Sequence, residues 1–181
     1  MLMTPHLKPT RRQLCWTAFL VLATLVWTVL PNSLRIKFEP IAQAATFTVT
    51  TTADDGPGSL RQAIIVSNLN MGPSANVINF NIPGVGVKTI SPLSPLPTIT
   101  APVTIDGFTQ PGSGSSGLLI ELDGTNAGAN ANGLTITSGH CNIYSLVVNR
   151  FNAAGVSIQT GDGNLIAGNR IGTDPAGNAD R

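Results

Sequence analysis

The chain has 181 residues, ten Lys/Arg against nine Asp/Glu, two cysteines and 42% apolar residues, which bounds it to one domain with appendages. From Ala45 onward it holds five Lys/Arg and eight Asp/Glu, a net charge of −3 with no basic cluster. That excludes nucleic acid as a partner, because nothing is present to neutralise phosphates, while recurrent Val, Ile, Leu and Phe exclude a disordered tail.

Residues 1–44 differ in kind. Lys8, Arg11 and Arg12 precede an uncharged apolar run from Cys15 to Leu30, and Ala42-Gln43-Ala44 closes the segment. This order predicts a secretory signal cleaved after Ala44. An uncleaved membrane anchor is the alternative, since the stretch from Pro31 to Ala44 is long and carries Arg35, Lys37 and Glu39. Any membrane association is expected through this segment, if it is uncleaved. Thr10-Arg11-Arg12-Gln13-Leu14 also resembles the start of a twin-arginine signal. Export follows, to a secreted or cell-surface location. Beyond the leader only Cys141 remains, so no intrachain disulfide forms there, and its apolar neighbours suit a small buried residue.

In the body, the segment from Thr46 to Thr52 begins by alternating apolar and hydroxyl residues, as a half-buried strand does. Asp54-Asp55-Gly56-Pro57-Gly58 breaks it, with a turn and helix-dipole role expected for the two aspartates. Ser59 is the expected N-cap of a helix, with Gln62 placed to complete a capping box, and Leu60, Ala63, Ile64 and Leu69 form its apolar stripe. The run from Val77 to Ile82 alternates again, with Ile78, Phe80 and Ile82 on one face and Asn79 and Asn81 on the other. Prolines 83, 92, 95 and 97 then mark a loop around one short strand from Val87 to Ile90.

From Thr98 the chain is a series of short β runs separated by Gly, Asn and Asp: 103–105, 119–122, 134–136, 143–148, 156–158 and 165–166. Gly133-Leu134-Thr135-Ile136 returns as Gly155-Val156-Ser157-Ile158, an offset of 22, and Asn142 returns as Asn164 at the same offset. A fixed period in this range, without two-residue hairpin turns, predicts parallel coils stacked on one another. Ile143 with Ile166 and Val148 with Ile171 match instead at an offset of 23. One turn therefore gains a residue, expected around Thr160-Gly161-Asp162-Gly163. In the shorter register Asn142 and Asn164 would stack amide on amide.

Gly58-Ser59-Leu60-Arg61-Gln62-Ala63-Ile64 resembles the opening of exported bacterial right-handed parallel β-helix proteins, and the phrases from Thr104 to Gly112 and from Gly168 to Asp174 resemble others of the same group. Together these cover residues 46–174, although Gly58 stands where related forms carry Cys. The resemblance implies an all-β, pectate-lyase-like, three-sided solenoid, with coils of about 22 residues, a length typical of solenoid repeats. Residues 45–97 would form the N-terminal cap and first coil and 98–181 the later coils, with no C-terminal cap before Arg181; a truncated chain is the expectation.

Chemistry is sparse. Lyases of this shape hold Ca²⁺ with clustered carboxylates, and hydrolases need close acid and base aspartates. Glu121 and Asp123, two apart on a strand, share a face and are candidates for a cation or sugar, against the plainer reading of a solvated outer face. Tyr144 is a candidate ligand contact, while the phenylalanines read as core or cap filler. Gly139-His140-Cys141 and Arg170-Ile171-Gly172 resemble polygalacturonase elements, but the upstream aspartate motifs are missing and Gly172 replaces Lys, so His140 is expected in a surface turn. Asp174, Asn178 and Asp180 offer oxygen ligands for Ca²⁺ without a closing Glu. No catalytic residue and no other cofactor is assigned. The expected function is a scaffold for adhesion or for binding a polysaccharide or other surface polymer; the alternative is a piece of a polysaccharide lyase or glycoside hydrolase with catalytic coils beyond Arg181.

Overall fold

The computed structural model describes residues 43–72, 74–114 and 117–181. The signal or anchor read from residues 1–44 lies outside them except for its last two residues. The first strand, β1 (Thr46–Val49), is followed by helix α1 (Leu60–Leu69), then β2 (Asn76–Phe80), β3 (Lys88–Ile90), β4 (Val103–Asp106) and β5 (Ile120–Asp123). The chain continues through β6 (Leu134–Ile136), β7 (Asn142–Tyr144), β8 (Leu146–Asn149), β9 (Val156–Ile158), β10 (Leu165–Ala167) and β11 (Arg170–Ile171). The strands form three sheets, ordered β1-β2-β4-β7-β10, β11-β8-β5-β3 and β6-β9. Every pairing between named strands is parallel, and a parallel bridge from Ile99 to Ile136 extends the third sheet.

Register follows from the alternation of apolar residues. Phe47, Ile78, Ile105, Ile143 and Ile166 lie one above another across the first sheet, and Ile90, Leu122, Val148 and Ile171 do so in the second. The middle members of both columns are fully buried, each aliphatic side chain contributing about 1.5–3 kcal/mol by leaving water. A one-residue slip would turn a whole strand's apolar set outward, so these columns hold the register.

The spacing of stacked partners varies widely, which corrects the expected coil length of about 22 residues. The offset is 27 from Ile78 to Ile105, 38 from Ile105 to Ile143 and 23 from Ile143 to Ile166. Only β6 and β9 keep the offset of 22, with Leu134 opposite Val156. The step from 22 to 23 falls between Ile158 and Leu165, around the Thr160-Gly161-Asp162-Gly163 turn, as the sequence predicts. A further difference concerns the run from Ile143 to Val148. It is two strands in two sheets, broken at Ser145, which takes a left-handed backbone (φ 57°).

Helix α1 begins as its sequence predicts, the Ser59 hydroxyl accepting from the Gln62 amide (3.2 Å). The return half of the capping box is replaced, because the Ser59 amide donates to the Gly56 carbonyl (3.2 Å). Leu60, Ala63, Ile64 and Ser67 face inward, whereas Leu69 is 77% exposed. With about 100° of turn per position, 69 lies opposite 60, so Ser67 completes the inward face in its place. Both Ser67 oxygens accept from Asn76 Nδ2, and Asn76 Oδ1 accepts from the Ala45 amide and from Asn70 Nδ2. This buried amide ties helix, entering chain and first sheet together.

Candidate functional site

The two carboxylates of β5 share the outer face of the second sheet, as their spacing predicts, but they are not solvated. Glu121 is only 6% exposed. Thr89 Oγ1, one strand back, donates to its Oε2 (2.7 Å), and Asn149 Nδ2, one strand on, donates to its Oε1 (2.9 Å). The same Asn149 amide donates to the carbonyl of Thr173 (2.9 Å). Thr89, Glu121, Asn149 and Thr173 therefore form a polar ladder across four successive layers. A buried carboxylate is tolerable only with its acceptor sites filled, and here neighbouring strands fill them.

Asp123 closes the ladder on one side. Its Oδ1 accepts from the Thr125 amide (2.9 Å), capping the single 3-10 turn Gly124–Asn126, and its Oδ2 accepts from Arg150 Nη1 (3.0 Å). Arg150 also stands 3.5 Å from Glu121 Oε1 and takes a left-handed backbone (φ 56°) to reach both carboxylates. Burial raises the Asp123 carboxyl, but the Thr125 hydroxyl and amide and the Arg150 guanidinium outweigh it and hold the group below the usual carboxylate range. The arrangement is two acids, one guanidinium and neutral donors with their valences used on one another.

Tyr144 lies elsewhere. It sits half-buried on the outer face of the first sheet, between Asp106 and Ala167 in register, so strand pairing does not join it to Glu121 and Asp123. Asp174, Asn178 and Asp180 do come together, but as a turn. The Asn178 amide donates to Asp174 Oδ1 (2.8 Å), the Asp174 amide to the Ala179 carbonyl, and Thr173 bridges Asp180 antiparallel. The bond from Asn178 leads the effects that hold the Asp174 carboxyl below its ordinary value. Among the described residues no three His, Cys, Asp or Glu side chains converge as a metal cluster does.

The remaining candidates resolve into structural roles. Asp54 pairs with Arg61 of α1 (2.7 Å), and Asp55 accepts from the Gly56 amide. His140 is exposed in its turn. Cys141 is fully buried with its sulfur against the Ala101 carbonyl (3.7 Å), and burial pushes its thiol up. Asn142 and Asn164 do not stack: Asn142 is opposite Leu165 and donates to Thr104 Oγ1, while Asn164 Oδ1 accepts from the Cys141 amide. The longer register at this level separates them. Phe108 is 59% exposed rather than core, since the turn capped by Asp106 swings it outward.

The phrases that carried the family resemblance gain physical meanings that sequence reasoning missed. Gln110 is buried, and its amide both donates to and accepts from the backbone of Ile82 (2.9 Å each), acting as a surrogate strand partner beyond β2. Asn169 bridges the Ser145 corner, accepting from the Leu146 amide and donating to the Ile143 carbonyl. Arg61 reaches the carbonyls of Ser94 and Pro95, pinning the proline-rich loop to α1. A groove of about 260 Å³ between β1 and α1, lined by Thr46, Phe47, Thr48, Gln62, Ala63 and Val66 among others, contains no titratable side chain. Comparison with protein-family models, with curated proteins and with solved structures finds no match to this chain.

Proposed function

We propose that the chain is an exported right-handed parallel β-helix, a three-sided solenoid related to the exported bacterial β-helix proteins it resembles, and that it serves at or outside the cell surface as a scaffold for adhesion or polymer binding. The observation that carries this reading is the order in which strands visit the sheets. From β2 onward the chain passes first, second and third sheet in unbroken rotation, with Ile99 standing for the third in the first round. A chain that rotates in this way and whose named strands pair only in parallel must advance by one strand spacing per round, about 4.8 Å, which is how a solenoid grows. The scaffold reading rests on the carboxylates: Glu121, Asp123 and Asp174 each satisfy their own chain.

Incubating the exported protein with a panel of insoluble and soluble polysaccharides tests this. Retention on one or more polymers, with no release of reducing or unsaturated sugar, is the expected result. Product release supports the lyase or hydrolase reading instead, and absence of retention on every polymer overturns the binding role.

A further inference from the structure

We propose that the C-terminal end of α1, through Leu69 and Met71, rests on the surface of a lipid bilayer. The starting observation is two large apolar side chains with no packing role. Leu69 is 77% and Met71 75% exposed, and Ile65, one turn before Leu69 on the same outward face, is 38% exposed. An outward apolar stripe on a surface helix has no explanation in the fold, whose inward face is complete without it.

Position and charge name the occupant. Asn70, between Leu69 and Met71, donates through Nδ2 to the carbonyl of Gln43 (3.1 Å), so this end of the helix adjoins the point where residues 1–42 join the body. Those residues carry the apolar run from Cys15 to Leu30 and, between it and Gln43, Arg35 and Lys37 against Glu39, a small positive balance that an anionic membrane surface does not repel. From Gly56 to Ile105 the chain contains no acidic residue. The nearest acids, Asp54 and Asp55, lie at the opposite end of α1, and Asp54 is neutralised by Arg61. The polar neighbours of Leu69 and Met71 are neutral: Asn68 donates to the Thr98 carbonyl, and Asn70 donates to Gln43 and to the buried Asn76. Six acids against three arginines occupy the chain from Asp106 to Arg181, so an anionic bilayer repels that part and not the helix end. Apolar residues with neutral neighbours, at the point where the chain continues from its apolar leader, fit the headgroup boundary. This inference rests on the uncleaved-anchor reading of residues 1–44 and is independent of the scaffold reading.

The full chain tests it, in vesicles of mixed phosphatidylcholine and phosphatidylglycerol. Both tryptophans, Trp16 and Trp27, lie in the leader, so intrinsic emission follows the leader alone. In a Cys15→Ser background, an environment-sensitive dye on Met71→Cys follows the helix end, and the same dye on Asp162→Cys serves as control. The expected result is a blue shift of tryptophan emission and of the dye at position 71 but not at 162, with the shift at 71 at least halved by adding Leu69→Ser. Tryptophan shift with unchanged dye emission at 71 overturns the proposal while sparing the leader. Absence of both shifts overturns both.

Discussion

At the scale of single residues, the acidic pair on β5 shows how a sequence can place side chains correctly and still misstate their environment. Spacing alone put Glu121 and Asp123 on one face. It carried no information that Thr89 and Asn149, from the layers before and after, would supply the donors to Glu121, nor that Arg150 would sit between the carboxylates. Those partners are set by stacking register, and register becomes visible only when the loop lengths between layers are known. The same ignorance misled the asparagine ladder. Asp123 gives a direct test. Its folded pKa is depressed, so its stabilising contribution is complete above the unfolded value, about pH 4, and is lost as pH falls through the lower folded value. In Asp123→Asn the acid limb of the stability curve flattens while stability at neutral pH drops by about 1 kcal/mol; Asp174, likewise depressed, keeps a residual slope. Denaturant titrations from neutral pH down through the acid limb check this, and an unchanged limb would rule it out.

At the scale of elements, what was legible is what short-range chemistry decides. The cap of α1, the alternation in β2 and the outward turn of His140 needed only nearby residues. What was not legible is where a strand stops. Asp106-Gly107 and Asp123-Gly124 each end a strand with an aspartate that caps a 3-10 turn. The glycines are demanded from outside: a Cβ at Gly107 would collide with the backbone carbonyl of Ser145, and one at Gly124 with the ring and backbone of Phe151, both from the following layer. Gly124→Ala is therefore expected to cost about 1–3 kcal/mol through overpacking against an atom that cannot rotate away. Thermal or chemical denaturation measures it, with Gly128→Ala unsuitable as a control because of its own positive φ and Thr125→Ser preferred. A Gly124→Ala protein as stable as the parent would show that the layers are looser than described.

At the scale of the whole molecule, the two edges of the first sheet differ among the described residues. Helix α1 and the buried Leu60 and Ile64 cover the start of the first sheet. β9, β10 and β11 each pair on one side only, and Ile158, Leu165 and Ile171 there are 47%, 47% and 46% exposed. Unpaired strand edges with apolar side chains are templates for further pairing. The polypeptide is accordingly expected to self-associate as its concentration rises, and Leu165→Lys to suppress this without loss of monomer stability. Sedimentation velocity across a dilution series distinguishes the two, a monomer at every concentration being the contrary result.

The corner between the first and second sheets is crossed by very different lengths of chain. Between β4 and β5 it takes the whole stretch 107–119, between β7 and β8 only Ser145, and between β10 and β11 only Gly168 and Asn169. Yet the strands on either side keep their partners, Ile105 above Ile143 and Leu122 above Val148. Corner length and strand register are thus uncoupled. Loop closure penalises added length only slowly, about 0.6 kcal/mol per doubling. The molecule consequently behaves as a rack with interchangeable fittings: a foreign peptide spliced into the long connection between β4 and β5 would be displayed without disturbing the strands behind it. Over generations, side chains at these corners are free to change while the inner columns stay untouched.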